Sequence, residues 1–347
     1  MVEKKKYNQE FYKEREKYFQ TPIQQMNLDN GITVSQLVDQ FAHASIQARN
    51  LGTAAHIWER MLNDKQRPTI FLGLTGPLIA AGLRNIIAGL IKNNMVDVVV
   101  TTGAIVYQDL LYARGGKHYR GFVNADNKKL QELRINRIYN VFSDDLIFEK
   151  TDDYVDKFTR TLEPGKYSSR QFLREIAKEV TDENSILKAS YDSNVPIFVP
   201  ALNDSSIGIG LTSYWSDYQD KPSVTIDSIK DNYEIVQLIL QSKITGAVYI
   251  GGGVPKNFVN DAIVMANLDF NAELEGHTYA IQVSTAIPMD GGLSGSTLNE
   301  AVAWGKIKDE TRNVMVFSEA SIGLPLLYGY LLEKNSVASR KPFEFKL

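Results

Sequence analysis

Six short runs of apolar, mostly β-branched residues set the frame of this chain: TIFLGL (69–74), VDVVVTT (96–102), VPIFVPA (195–201), GAVYIGGG (246–253), YAIQVSTA (279–286) and NVMVFSEAS (313–321). Runs this short and this continuously apolar are strands buried on both faces. Most of the stretches between them are amphipathic and long enough for crossover helices. The alternation predicts an α/β fold, a Rossmann-like, doubly wound, mostly parallel sheet. Ahead of the first run, residues 33–64 place apolar side chains at helical spacing, interrupted by NLG at 50–52. This predicts two helices and so a helical N-terminal region. Residues 1–30 are polar and read as a peripheral arm. Residues 31–340 read as a single α/β domain, because no linker rich in Pro, Gly or Ser divides them and no repeat is present. Residues 115–190 are more polar and are expected to form an excursion from the sheet.

The most hydrophobic window, 70–91, is broken by Pro77, by glycines and by Arg84. It reads as a strand followed by a buried helix rather than a membrane span. The N-terminus lacks the apolar stretch of a signal peptide, so a cytoplasmic protein is expected. A net charge of −3 over 347 residues offers no basic excess for nucleic acid. The absence of cysteine excludes disulfides, thiolate zinc sites and cysteine nucleophiles. The four histidines, His43, His56, His118 and His277, lack ligand spacing, and no metal is expected.

The chemistry gathers after the strands. Their ends read LTGPL, TTGAI, PALNDSS, GGGVPKN, STAIPMDGG and SEASIG. Glycine lets backbone approach a ligand, and hydroxyls with free helix amides bind phosphate. Open α/β sheets bind ligands outside the carboxyl ends of their strands, so these loops together point to a nucleotide or dinucleotide. GGGVPKNF is neither G-x-G-x-x-G nor a Walker loop, and the cofactor would be held in a non-standard way. Lys256 in that loop either meets a phosphate or sits at a solvated helix start. In NEAVAWGKIKDE (299–310), Lys306 could be a surface cation, a phosphate partner or a nucleophile that forms an imine. Trp304 and Glu300 beside it offer a ring face and a carboxylate, a natural cradle for an organic ammonium. An amine, a lysine and a dinucleotide at one place suggest redox chemistry on an amine through an imine.

The segments GGGVPKNF, STAIPMDGGLSGSTLNEAVAWGKI and TTGAIVYQDL resemble deoxyhypusine synthase, in the same order from about residue 21 to 335 and most densely from 246 to 324. EAVAWGKI matches the family's catalytic segment almost letter for letter. The resemblance implies an NAD-dependent transferase. NAD takes a hydride from spermidine, the aminobutyl group passes as an imine to an enzyme lysine, here Lys306, and a second amine receives it. That acceptor is a lysine of the hypusine-bearing translation factor precursor, and the family's sites lie between subunits of a homotetramer. By position, NAD contacts would fall on Gly76, Pro77 and onward to Ala80, on Thr102, Gly103 and Ala104, and on Asp204, Gly252, Thr285, Ala286, Glu319 and Ala320. Amine contacts would fall on Gly291, Gly292, Glu300, Trp304 and Lys306, with Asn257 and Gln108 also at the substrate.

Several positions depart from the family pattern. Gln108, Ile209 and Leu293 stand where it has acidic residues for the polyamine. Asn257 replaces a histidine, Asp261 an asparagine, TGP replaces TSN, and Glu319 an aspartate. Each lost carboxylate removes a charge-assisted contact of about 1.5–3 kcal/mol. An amine pocket less anionic than usual is expected, unless Asp261 or Asp290 restores the charge. A homospermidine-forming or agmatine-using enzyme and an NAD-binding non-catalytic paralogue are the alternatives.

Overall fold

The computed structural model describes residues 7–337 and 340–347; residues 1–6 of the arm and 338–339 lie outside the described residues. Eleven strands follow one another among them: β1 (Thr69–Leu74), β2 (Val98–Thr101), β3 (His118–Arg120), β4 (Ile135–Ile138), β5 (Val141–Asp144), β6 (Gly165–Tyr167), β7 (Ile197–Phe198), β8 (Val224–Ile226), β9 (Thr245–Ile250), β10 (Tyr279–Val283) and β11 (Asn313–Val316). All six apolar runs enter one sheet, in the order β11-β10-β9-β1-β2-β7. Every pairing in it is parallel, with Phe71 of β1 between Val98 of β2 and Ala247 of β9. The fold is therefore mixed α/β around a parallel sheet, as the alternation predicts.

Side chains alternate across a strand, and the core divides accordingly. Ile70, Leu72, Leu74, Val248 and Ile250 pack against one group of helices, among them Ile46–Asn63, Arg84–Lys92 and Gly103–Ala113. Phe71, Val98, Val100, Ala247 and Tyr249 pack on the other face, against Ser228–Leu240 and Gly253–Phe270. Burial on both faces explains why β1, β2, β9 and β10 are buried at every position.

The two N-terminal helices form, but not where the glycine suggests. They are Val34–His43 and Ile46–Asn63, and NLG lies inside the second. Thr33 caps the first through a capping box with Gln36. Gly52 answers to packing, because a Cβ there would stand 2.3 Å from the backbone nitrogen of Ala42 on the neighbouring helix. The arm carries the helix Gln9–Glu16, which buries none of its residues.

The polar stretch 115–190 does leave the sheet. Strands β3, β5 and β4 form a small antiparallel sheet, and β6 pairs with β8. The helices Ser169–Glu179 and Ile186–Asp192 then return the chain to β7. Among the described residues no helix is long and apolar enough to cross a membrane.

Candidate functional site

Parallel pairing brings the six carboxyl ends to one edge of the sheet. Between the ends of β1, β9, β10 and β11 lies a cavity of about 780 Å³, lined by Thr75, Gly76, Pro77, Ala80, Gly251, Gly252, Thr285, Ala286, Ser294, Glu319 and Ala320 among others. Glycine is required where the loops close on each other. Gly251 has φ +83°, and a Cβ there would lie 1.9 Å from Thr75 Oγ1. That hydroxyl instead accepts the Gly252 N–H at 2.8 Å. The helix Gly253–Phe270 starts beside the cleft with no side-chain cap, so the Gly253 and Val254 amides, ahead of Pro255, are left for an anion. Across the cleft Glu319 caps the helix Ala320–Glu333, accepting the Ser321 N–H at 2.8 Å.

Other residues assigned to the cofactor by sequence stand at the neighbouring strand ends, outside the lining of this cleft. Thr102 is the N-cap of Gly103–Ala113, so Gly103 and Ala104 form that helix's first turn. Gly103 is pressed against Ser205, whose Oγ would be 2.3 Å from an added Cβ. Asp204 is exposed in the turn before the helix Ser206–Tyr218, whose N-cap is Ser205 rather than Asp204.

Lys306 follows the helix Leu298–Ala303, whose C-cap is Trp304, and Gly305 with φ +67° turns the chain back. Its Nζ sits 2.8 Å from Asp261 Oδ1, 3.5 Å from Asn257 Oδ1 and 5.5 Å from the centre of the Trp304 ring. Asn257 Nδ2 donates to the other Asp261 oxygen at 2.7 Å. Asn257 and Asp261 are four apart on the helix Gly253–Phe270 and so share one face, a relation readable from the sequence. These side chains, with Val254, Phe258, Met265 and Leu293, line a cavity of about 500 Å³. The carboxylate paired with Lys306 is thus Asp261 and not Glu300. Glu300 lines a smaller adjoining recess with Lys256, Asn257, Trp304 and Lys306. The Lys306 cavity and the dinucleotide-sized cleft are separated by one short 3₁₀ turn, Leu293–Gly295. Leu293 lines the first and Ser294 the second.

Lys256 overturns both of its sequence readings. It is neither solvated nor in the cleft lining; it is 2 % exposed, and its Nζ donates to Gln282 Oε1 at 3.1 Å and to Ser296 at 2.5 Å (O) and 2.9 Å (Oγ). Burial is the main cause that pushes its ammonium down to about 8, with Lys306 acting the same way and Glu300 opposing. Asp290, considered as a compensating acid, accepts the Gly292 N–H at 3.3 Å in an exposed turn. Gly291 and Gly292 belong to that turn and line none of these cavities. Gln108 is buried on Gly103–Ala113 with its Oε1 unpartnered, and Ile209 is exposed on Ser206–Tyr218; neither joins Lys306 within one chain. Among the described residues no cluster of His, Cys, Asp and Glu could hold a metal ion.

Sequence reasoning missed the third wall of the cleft. The β4–β5 hairpin, through Ile138, Tyr139, Asn140 and Val141, closes it from the polar excursion. No local signal in that stretch announces the placement, which comes from tertiary packing alone. A volume of about 780 Å³ with glycines at the closest approaches and free helix amides fits a dinucleotide.

Residues 36–331 match the family model described as deoxyhypusine synthase. A "Deoxyhypusine synthase-like protein" of Chlorobaculum parvum is 42% identical over 323 residues, 91% of this chain and 91% of that protein. A "Probable deoxyhypusine synthase 2" of Methanosarcina acetivorans is 42% identical over 307 residues, 87% and 88% of the two chains. In fold, the chain is similar to a solved structure titled a "putative deoxyhypusine synthase" from Entamoeba histolytica, with a TM-score of 0.59 and 21% identity over 94% of this chain and all of that one. The family match takes in both the cleft and Lys306, and identity of this extent along nearly the whole length places the chain in the deoxyhypusine synthase family.

Proposed function

We propose that this protein is an NAD-dependent aminoalkyl transferase in which Lys306 carries the group between two amines. One observation supports this most: Lys306 Nζ, 2.8 Å from Asp261 and against the Trp304 ring, lies in a cavity that a single turn separates from a dinucleotide-sized cleft. Gly76, Pro77, Gly252, Thr285, Ala286, Glu319 and Ala320 would hold NAD, with the Glu319 carboxylate suited to a ribose hydroxyl. Bound NAD supplies an acceptor for hydride from the donor amine and later returns it, so there is no net oxidation. The chain's own part is nucleophilic. Asp261 takes a proton from Lys306, and the freed lone pair attacks the carbon of the donor-derived imine. Addition to that carbon opens its double bond to the donor nitrogen, Asp261 passes the proton to that nitrogen, and expulsion of the neutral amine leaves the group on Lys306 as an imine. An acceptor amine then attacks the same carbon and releases Lys306.

The donor is spermidine or a related amine whose cationic ends meet Trp304, Glu300 and Asn257. The acceptor is the lysine of a hypusine-bearing translation factor precursor or a small amine. Gln108, Ile209, Thr102–Ala104 and Asp204 stand apart from Lys306 in one chain. A second copy in a homotetramer would bring such residues to the site. Borohydride reduction during turnover with NAD and spermidine should leave an aminobutyl adduct on the Lys306 peptide, read by mass spectrometry. Lys306→Arg should keep NAD binding and lose transfer, because a guanidinium stays protonated and is not a nucleophile. Transfer by the Arg variant at near wild-type rate would remove Lys306 from the mechanism. Wild-type protein that binds NAD yet yields no adduct with any polyamine would point to the non-catalytic paralogue.

A further inference from the structure

The tip of the β4–β5 hairpin carries a feature that its own fold does not require. Ile138 pairs with Val141, so the loop is the two residues Tyr139 and Asn140. Tyr139 has φ +54°, a backbone region that suits glycine and is unfavourable for a bulky side chain. Two-residue hairpins with positive φ at the first loop position ordinarily place glycine there. The residue is also 74% exposed, so it contributes little to the core. A strained, exposed aromatic residue has no stabilising role to offset its cost, and strain of this kind collects where a ligand is met.

The surroundings hold the backbone that carries that ring. Arg137 Nη1 donates to Val123 O at 2.9 Å and to Tyr139 O at 3.5 Å. The Gly121 N–H donates to Asn140 O at 2.8 Å, so both loop carbonyls are held by neighbouring groups. At the hairpin's base Arg134 pairs with Asp145 and Glu149. The tip is thereby held at the cleft, which Tyr139 lines together with Gly76, Pro77, Ala80, Glu319 and Ala320. The rest of that lining is glycine, alanine, hydroxyl and aliphatic residues with Asn140 and Glu319, and it includes no second aromatic side chain.

From this geometry we infer that Tyr139 is a stacking platform for a planar heterocycle bound in the cleft, the purine or the nicotinamide of the dinucleotide. The inference rests on the cofactor reading above and adds to it a residue from outside the parallel sheet. An exposed aromatic ring at the wall of the cleft offers a base both dispersion and offset-stacking attraction.

The test is NADH titration by fluorescence on the full chain, with Tyr139→Phe and Tyr139→Gly. Glycine is the informative change because it removes the ring and suits the positive φ, so the melting temperature should hold or rise. Stacking predicts that Tyr139→Gly weakens NADH binding by about three- to tenfold while Tyr139→Phe leaves it within about twofold. Displacement of bound NADH by ADP-ribose, which lacks nicotinamide, gives the affinity for ADP-ribose and assigns the ring. An equal loss means the purine stacks, and a loss confined to NADH means the nicotinamide does. Wild-type binding with an unchanged Tyr139→Gly constant overturns the stacking role alone, and a changed mass by light scattering with unchanged affinity would make Tyr139 a subunit contact instead. No binding of NADH by the wild type would overturn the cofactor reading and the stacking role together.

Discussion

Asp231 is a buried carboxylate with only one satisfied side. Its Oδ1 accepts the Ser169 N–H and the Ser169 hydroxyl, both at 2.9 Å, while Oδ2 has no partner. Burial is the leading cause that pushes its carboxyl up to about 7, against the pull of the Ser169 hydrogen bonds. The unfolded chain releases this proton near the ordinary 3.8, so between about pH 4 and 7 the native state holds more protons than the unfolded state. Stability from this group is therefore complete at low pH and is lost as pH rises through 7, by at most about 4 kcal/mol. Asn keeps an acceptor for Ser169 and cannot ionise. Thermal melts of Asp231→Asn and wild type should diverge in the variant's favour from pH 4 to pH 8, and parallel curves would refute the assignment. At this scale the sequence was legible where the chemistry is local. Trp304, Gly305 and Lys306 are chain neighbours, and Asn257 and Asp261 lie one helical turn apart. It was not legible where the partner comes from afar, since Lys256 is buried by Gln282 and Ser296, and Lys306 finds its carboxylate 45 positions upstream in the chain at Asp261.

The helix Ile46–Asn63 shows how an element can mislead when read alone. Glycine inside a helix ordinarily costs about 1 kcal/mol against alanine, so propensity alone makes Gly52→Ala stabilising. The packing says the opposite. The added Cβ would lie 2.3 Å from Ala42 N and 2.6 Å from Ala42 Cα, and both belong to backbone that cannot swing aside. We expect Gly52→Ala to destabilise by about 1–3 kcal/mol in urea unfolding, from overpacking between the two helices. A gain in stability would show that the helices separate at no cost. The same contrast explains the misplaced helix break. NLG carries a breaker residue for a packing reason, whereas the true break at Ala44 and Ser45 carries small residues that sequence patterning does not flag. The six apolar runs were legible because strands buried on both faces need continuous apolar residues. The β4–β5 hairpin was visible only as polarity, because its place over the cleft depends on residues far away in the chain.

Across the whole molecule the sheet has a working edge and a structural edge. The carboxyl ends carry the cleft, while near the amino ends of β1 and β2 a single aspartate holds several segments together. Asp97 accepts the Ile70 N–H at 2.8 Å and pairs with Arg67 at 2.7 Å. It also pairs with Arg340, whose side chain is 1% exposed and whose Nη2 donates to Pro68 O at 3.0 Å. Arg67 reaches Lys341 O at 3.1 Å through Nε, so the segment at 340–341 is bound to the sheet by two arginines sharing one carboxylate. Burial is the main cause that holds the Arg340 guanidinium below its ordinary range, so the ion pair with Asp97 is what offsets its desolvation. Asp97→Ala leaves that cation buried without a countercharge, and loss of one partner from a buried pair costs about 3–5 kcal/mol. Removing both charges should cost less. In a double-mutant cycle with Arg340→Met, we expect Asp97→Ala to lose about 3–5 kcal/mol in the otherwise wild-type chain and much less when Arg340→Met is already present. Because the cluster lies at the edge away from the cleft, NAD affinity per folded molecule should be unchanged in every variant, measured below the unfolding transition. A loss under about 1 kcal/mol for Asp97→Ala alone would show that water or another carboxylate reaches Arg340. A cofactor affinity that fell with it would mean that the two edges of the sheet are coupled.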